Sequence, residues 1–336
     1  MSGPNRARAR ALAVLVPLAV LFSLTTVALQ VRELGIGYLE TGEQLARHKA
    51  VLEGTSIDPW QYRILSEYAV EACLRLTAWL GVPHPVLFAF VGFRVLQGFF
   101  IFGLAGLYYK QFGLRDGAVV IGLSLLAWGM MNANYNSDLQ FNTYTDVIFY
   151  LLASLALLRE SPLWVPPIAV MAALNRETSL LIPVVAFVEG WSARAEPMAR
   201  RKMTIALVSF ALAAGVVIGL RYGLGPRPAG VGTPPAGFDT LLYNLGRYQS
   251  WLFLFATLGP IPVVALACMG SWPRYLRSAF WALVPAWVLA HVIAGVIAEG
   301  RLFLVPQVLV FIPGALMGVG AGGTAGPLGD RGRGDP

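Results

Sequence analysis

Long runs of apolar residues dominate the chain and determine its predicted architecture. The first extends from Ala11 to Val31, directly after a basic N-terminal segment. Because about 20 apolar residues are enough for a helix to cross the hydrocarbon core of a bilayer, the pattern predicts an all-α, polytopic transmembrane bundle of about ten spans. The nine later runs occupy residues 85–108, 117–133, 145–158, 162–175, 178–191, 203–221, 249–270, 279–298 and 302–320.

Three of the predicted spans are short for a full crossing. At 1.5 Å per residue, 145–158, 162–175 and 178–191 would each cover about 21 Å, against a hydrocarbon thickness of roughly 30 Å. Two alternatives stay open for 162–175 and 178–191: they cross fully, or they form a re-entrant hairpin. Either alternative leaves the sidedness of the other spans unchanged.

Composition supports a membrane protein and excludes several other classes. Of 336 residues, 57% are apolar and 13% are charged, whereas a soluble domain has about 25% charged residues. The sequence therefore excludes an ordinary soluble enzyme, a disordered chain and a disulfide scaffold. The two cysteines, Cys73 and Cys268, are predicted on opposite sides of the membrane, so we expect no bridge between them.

The net charge of +7 is explained by the sidedness of the predicted spans. With both termini inside, 14 of the 25 basic residues and 6 of the 18 acidic residues fall on the cytoplasmic side. This agrees with the positive-inside rule, so no nucleic-acid partner is needed. We expect a multi-pass protein of the inner (plasma) membrane with an uncleaved first helix. Residues 1–320 would form one membrane domain and 321–336 a flexible cytoplasmic tail.

Polar chemistry gathers in the predicted outer loops, above all in 32–84, 132–146 and 222–248. In the first loop, apolar residues recur with helical spacing over 62–80 and predict an amphipathic helix on the outer membrane surface. Four charged residues repeat every fourth position there. We interpret the last three as a solvated face. The four are Arg63, Glu67, Glu71 and Arg75.

The first outer loop also holds the candidates for a general base. Asp58 precedes Pro59, so its backbone is predicted to be extended, and Arg63 follows closely. This placement suits a catalytic base, although a plain Asp-Pro turn would look the same. The competing carboxylates of the loop are Glu33, Glu40 and Glu43.

The second outer loop alternates polar and other side chains. Every even-numbered position from Asn132 to Asn142 is an amide or a carboxylate, including Asn136 and Asp138. In an extended segment these side chains would lie on one side and could bind sugar hydroxyls. A solvated loop is the alternative. Asp146 is a further acidic candidate.

Two charged pairs lie at outer turns with almost no linker. Arg176 and Glu177 separate two apolar runs, and Glu299 and Arg301 precede the last one. An arginine fork fits a phosphate through bidentate hydrogen bonds. For Arg94 we expect a side chain that snorkels outward.

Other features of the sequence give little further chemistry. His291 is interpreted as hydrogen-bonded within the bundle. No nucleotide loop or zinc spacing is present. Mg²⁺ or Mn²⁺ beside the carboxylates stays open, without a convincing ligand set.

These elements resemble the GT-C class of integral-membrane glycosyltransferases. The resemblance rests on residues 58–65, 175–178 and 299–303 and on the layout of the multi-span body. It implies inverting transfer of a sugar from a polyprenyl-phosphate donor at the outer face, with an acid of the first outer loop as base. The acceptor would be an envelope glycan, lipid or protein.

By position, the base that the resemblance implies falls on Asp58, Glu33, Glu40 or Glu43. The reaction itself requires one carboxylate and fixed cations near the departing phosphate. Asp58 would then be the base, and the phosphate clamp would be Arg63, Arg176 and Arg301. The alternatives are a ten-span transporter for a small molecule or lipid, and a non-catalytic scaffold.

Overall fold

The computed structural model describes residues 3–133, 139–228 and 236–318, with the backbone alone for residues 3–12 and for Thr41. Over these ranges the protein is all-helical: 83% of it is helix and no strand is present. The predicted all-α class is confirmed. Its helices are α1 Gly3–Leu34, α2 Ile36–Thr41, α3 Glu43–Leu52, α4 Ile64–Trp79, α5 Pro85–Gln111, α6 Asp116–Asn132, α7 Phe141–Leu158, α8 Val165–Ala173, α9 Leu181–Ser192, α10 Ala199–Leu224, α11 Phe238–Gly246, α12 Tyr248–Leu258, α13 Ile261–Ala267, α14 Arg274–Ala294, α15 Leu304–Pro306 and α16 Ile312–Gly318.

Six helical stretches in the described chain are long and apolar enough to cross a membrane. A seventh is added if the bent pair α12–α13 counts as one span. All ten predicted apolar runs are largely helical, but α6 and the stretch Pro162–Ala173 are shorter apolar helices. The structure thus supports a multi-pass membrane protein without fixing ten crossings. The six stretches are Ala13–Leu34, Pro85–Gln111, Phe141–Leu158, Ala199–Leu224, Arg274–Ala294 and Gly300–Gly318.

The predicted span 249–270 is broken in the structure. Helices α12 and α13 meet at 67° across Gly259 and Pro260. Gly259 has a positive φ of 56°, which glycine adopts readily, and Pro260 has no N–H to continue the hydrogen-bond ladder of α12. Thr257 at the end of α12 donates to the carbonyl of Asn132 at 3.3 Å, while α13 packs along α16.

The predicted amphipathic helix at 62–80 is present as α4, but one part of its interpretation is wrong. Glu67 is buried rather than solvated, and its Oε2 lies 2.7 Å from Nδ1 of His48 on α3. Glu71 binds the other nitrogen of the same ring at 3.1 Å. Because the imidazole of His48 binds both carboxylates, this face of α4 packs against α3. Arg75 alone of the charged row is fully exposed.

Two other predicted loops are more ordered than expected. Helix α7 begins at Phe141, so Asp146 lies inside a helix, and α11 occupies part of 222–248. Asn136, Asp138 and the predicted tail 321–336 lie outside the described residues. The thiols of Cys73 and Cys268 are free.

Candidate functional site

A cavity of about 440 Å³ opens at one end of the helical bundle. We call this the cavity end. Its wall comes from the segment before α4, the start of α7, the turn after α8, α11, the end of α14 and the segment before α15. Helix ends and turns dominate the wall, because polar backbone and side chains are tolerated there. The charged residues that line it are Asp58, Arg63, Arg176, Glu299 and Arg301.

The structure brings together five of the residues singled out in the sequence, from three stretches far apart in the chain. Asp58 and Arg63 come from the first predicted outer loop, Arg176 from the mid-chain turn, and Glu299 and Arg301 from the segment before α15. Glu177 joins them through an ion pair of 3.4 Å with Arg63. The catalytic and binding roles assigned to these residues stay predictions.

Arg176 is one of two almost fully buried cations of the cavity, the other being Arg301. Its backbone is extended between α8 and the following turn, which directs the side chain inward. Nη1 donates to the hydroxyl of Thr143 and Nη2 to Nε2 of His291, both at 3.4 Å. Burial, reinforced by the nearby positive charge of Arg63, lowers the pKa of Arg176 to about 10. The guanidinium therefore stays charged at neutral pH.

The hydrogen bonds of His291 fix its tautomer. Nδ1 lies 2.8 Å from the carbonyl of Trp287, which can only accept, so Nδ1 carries the proton. Nε2 is then an acceptor and faces Arg176. The ring is also stacked on Trp287, with ring centroids 4.9 Å apart. The prediction that His291 is bonded within the bundle is confirmed, and the same ring lines the cavity.

Several guanidinium nitrogens around the cavity are buried without a hydrogen-bond partner among the described residues. They are Nε of Arg63, Nε of Arg176, and Nε and Nη1 of Arg301. Arg301 uses Nη2 for Glu299, at 2.6 Å. Buried donors are nearly always satisfied, and an anionic ligand in the cavity could accept hydrogen bonds from this set.

Asp58 faces the cavity from a turn that is held by neighbouring segments. It is joined to Pro59 by a cis peptide bond, and its N–H donates to the carbonyl of Pro228 at 3.0 Å. Its Oδ2 lies 3.5 Å from Nη1 of Arg221. About a third of its side chain is exposed, so the carboxylate is accessible.

Arg221 is a site residue that the sequence analysis missed. It lies in the last turn of α10, and its Nη2 contacts Oε1 of Glu177 at 3.4 Å while Nη1 contacts Asp58. A basic residue at the end of an apolar run is typical of a side chain that extends to the membrane surface. The sequence pattern therefore did not single out Arg221 as a site residue. The neighbouring Tyr222 did not add a sequence pattern that would indicate a site.

Glu177 is held ionised by its surroundings. Burial opposes ionisation, but Arg63, its own backbone N–H, Arg176 and Arg221 together lower the pKa of Glu177 below its usual value. Glu177 thus acts as a fixed counter-ion between two arginines. As a counter-ion, Glu177 orients the two arginines and does not transfer a proton.

Trp60 adds an aromatic surface to the cavity wall. The guanidinium of Arg47 lies 4.1 Å from the centre of its ring, and that of Arg63 lies 5.3 Å away. Burial lowers the pKa of Arg47 to about 10. The interaction between cation and ring holds a fourth arginine near the three that line the cavity.

Other predicted candidates lie elsewhere. Glu33 at the end of α1 and Glu43 at the start of α3 are exposed, and Glu40 pairs with His84 at 2.6 Å. None of the three lines the cavity as the structure describes it. The carboxylate of Asp146 accepts hydrogen bonds from the hydroxyls of Thr178 (3.1 Å) and Ser179 (2.8 Å), which fastens the turn after Arg176 to α7.

The expectation that Arg94 snorkels outward is wrong. Its side chain is fully buried, and its guanidinium lies 3.3 Å from the centre of the Tyr144 ring. Arg94 lies on the side of α5 that packs against α7, where Tyr144 is located. The face of the Tyr144 ring stabilises the guanidinium of Arg94 where water would otherwise do so.

The site as a whole is an arginine-rich cavity with two partly exposed carboxylates, Asp58 and Glu299, a class suited to binding a phosphorylated ligand. In the described part of the chain no three His, Cys, Asp or Glu side chains are grouped closely enough to hold a metal ion. Comparison with known proteins finds no matching family model, no matching curated protein and no matching solved structure. The residues of the cavity are therefore the basis for assigning a function.

Proposed function

We propose that the protein is a membrane glycosyltransferase of the GT-C type. It would transfer a sugar from a polyprenyl-phosphate donor to an envelope glycan, lipid or protein. The observation that carries the proposal is the single cavity in which Asp58 lies among Arg63, Arg176 and Arg301. A cavity of this volume is within the range of about 300–1,000 Å³ that is usual for small-ligand sites.

The proposed orientation places the cavity at the outer face of the inner (plasma) membrane. The chain would cross ten times, with both termini inside. The distribution of lysine and arginine supports this arrangement, because the loops at the cavity end carry no excess of positive charge in the sequence. The opposite end holds a basic cluster around α9, α10 and α14, where Lys202 pairs with Glu189 at 3.2 Å.

In the proposed reaction, Asp58 accepts the proton of the acceptor hydroxyl. The resulting oxygen attacks the anomeric carbon of the donor sugar from the face opposite the phosphate. The bond between that carbon and the phosphate oxygen breaks, and the polyprenyl phosphate leaves with the electron pair. The configuration at the anomeric carbon is therefore inverted. General-base assistance of this kind contributes about 10²–10⁴-fold to the rate.

The arginines supply the stabilisation of the leaving group. Arg63, Arg176 and Arg301 repel one another in the cavity, and several of their nitrogens have no partner within the described residues. A phosphate would neutralise the repulsion and accept bidentate hydrogen bonds from these forks. As the phosphate gains charge in the transition state, the fixed cations bind it more tightly, which lowers the barrier.

The test is an assay of the purified protein in lipid nanodiscs with a panel of polyprenyl-phosphate sugars. The wild type should transfer or hydrolyse at least one donor. Asp58→Asn should reduce the rate by about 10²–10⁴-fold with little effect on donor binding. Arg176→Ala should weaken binding of the donor and also slow the reaction. The matched controls, Glu53→Gln and Arg75→Ala, change exposed residues outside the cavity and should keep full activity.

Two results would overturn the proposal. Full activity of Asp58→Asn would exclude this residue as the base. Uptake of a solute into proteoliposomes, with no chemical change of any donor, would instead identify a transporter.

A further inference from the structure

Helices α11 and α12 expose apolar side chains next to the cavity. On α11 the exposed positions are Phe238, Leu242 and Leu245. On α12 they are Tyr248, Leu252 and Phe255, with exposed fractions of 72%, 56% and 64%. Within each helix these residues recur three and four positions apart, so each helix presents one continuous apolar face.

The opposite face of α11 is polar and points into the protein. The amide nitrogen of Asn244 donates to the carbonyls of Val292 and Gly295, at 2.8 and 2.7 Å, and its oxygen accepts from the N–H of Ile297 at 3.1 Å. Thr240 lines the cavity one turn earlier. A polar inner face with an apolar outer face is the reverse of a helix on a water-soluble protein.

Helix α12 extends along the cavity end instead of crossing the bundle. It begins next to α11, which is fastened to the end of α14, and it ends where Thr257 contacts Asn132. Its 11 residues would span only about 16 Å, roughly half the hydrocarbon thickness. The chain turns toward the opposite end only after the 67° bend, in α13.

From this arrangement we infer that α11 and α12 lie in the membrane interface at the cavity end and form the wall between the cavity and lipid. The occupant of their apolar face is the bilayer itself. Helix α11 packs on α14, which is long and apolar enough to cross a membrane and which also exposes Val288 and Leu289. Tyr248 and Trp251 are residues of the kind that concentrates at the boundary between lipid and water.

The inference does not depend on the transferase activity. If the proposed function holds as well, a lipid-linked donor would reach the arginines across α11, without leaving the membrane. A wall that faces lipid would not help a water-soluble ligand to reach the cavity. The position of the helices and the identity of the ligand can thus be tested separately.

The experiment measures the accessibility of nitroxide labels in nanodiscs. Leu242→Cys and Leu252→Cys are each made in a Cys73→Ser, Cys268→Ser background and labelled. Leu289→Cys, on the exposed flank of α14, is the lipid reference, and Glu53→Cys, in an exposed turn, is the water reference. The relaxation of each label is compared in the presence of oxygen, which concentrates in lipid, and of a water-soluble nickel complex.

Labels at 242 and 252 should behave like the label at 289, with high access to oxygen and low access to nickel. Nickel access equal to that at 53 would place the helices in water and overturn the inference. Low access to both reagents, with spin–spin broadening, would identify a contact with a second copy of the chain and overturn it too. Retained circular dichroism and a single size-exclusion peak show that each labelled variant is folded.

Discussion

Arg176 and Arg301 are buried beside other cations, and this shapes what the cavity can bind. Arg176 donates to Thr143 and His291, and Arg301 donates to Glu299. The charge of Arg176 is nevertheless repelled by those of Arg63 and Arg301. Burying like charges together is unfavourable unless an anion completes the site. Under the proposed function, the phosphate of the donor would be the anion that offsets this repulsion.

His291 positions Arg176, and its removal should weaken donor binding. His291→Phe keeps the aromatic packing on Trp287 but removes the acceptor that faces Nη2 of Arg176. A hydrogen bond to a charged group contributes about 1.5 kcal/mol or more, which corresponds to roughly a tenfold rise in KM with a smaller change in kcat. His291→Gln, which restores an acceptor, should recover most of the loss. Equal losses in both variants would indicate a purely structural role.

His48 should make stability depend on pH. Burial disfavours its charged form, but the hydrogen bonds that its ring donates to Glu67 and Glu71, with the charges of these carboxylates, outweigh burial and raise the pKa of His48 above its ordinary value of 6.5. Its contribution is complete below pH 6.5 and is lost as the pH rises through the raised value. The melting temperature of Glu67→Gln should therefore fall below that of the wild type at pH 6 by more than it does at pH 9. A gap between the two melting curves that is independent of pH would contradict this assignment.

The helices show which structural features the sequence patterns predicted and which they missed. The apolar spacing over 62–80 predicted α4 correctly, because the pattern depends only on neighbours within the helix. The break between α12 and α13 was missed, although Gly259 and Pro260 mark a turn, because apolar residues on both sides masked it. The burial of Glu67 was missed as well, since its partner His48 lies on another helix.

Close helix contacts in the last stretch require glycine. A Cβ added at Gly314 in α16 would lie 2.6 Å from the ring of Trp272, whereas one at Gly215 in α10 would meet nothing within 4 Å. Overpacking of this kind costs about 1–3 kcal/mol. Gly314→Ala should therefore lower the melting temperature in detergent, and the matched Gly215→Ala should leave it unchanged or raise it. A melting temperature for Gly314→Ala equal to that of the wild type would show that the indole ring moves aside freely.

On the scale of the whole molecule, the two ends should differ in access to water-soluble reagents. Ala195→Cys lies at the end opposite the cavity, and Glu53→Cys lies in the segment that leads to the cavity. In a background without the native cysteines, an impermeant maleimide should label position 53 in intact cells and position 195 only after permeabilisation. The reverse pattern would place the cavity on the cytoplasmic side and contradict the proposed orientation.

The sequence predicted the helical class and the approximate position of every apolar segment, because hydrophobicity along the chain determines both. It also singled out Asp58, Arg63, Arg176 and Arg301, which share one cavity. It could not rank Asp58 above Glu33 and Glu43, since that choice depends on where α1 and α3 end relative to the cavity. Arg221 was missed for the same reason: its partners lie in distant parts of the chain.

In the most apolar 18-residue part of the stretch Gly300–Gly318, 94% of the residues are buried, a larger share than in any other apolar stretch of spanning length in the described chain. The ribosome makes it after those other helices, so they enter the bilayer around a slot that is still unfilled. Until this stretch arrives, surfaces that belong inside the bundle face lipid or the insertion machinery. The bundle therefore cannot be completed before this central stretch is inserted. A chain halted before residue 300 should be recognised by quality-control proteases as incomplete.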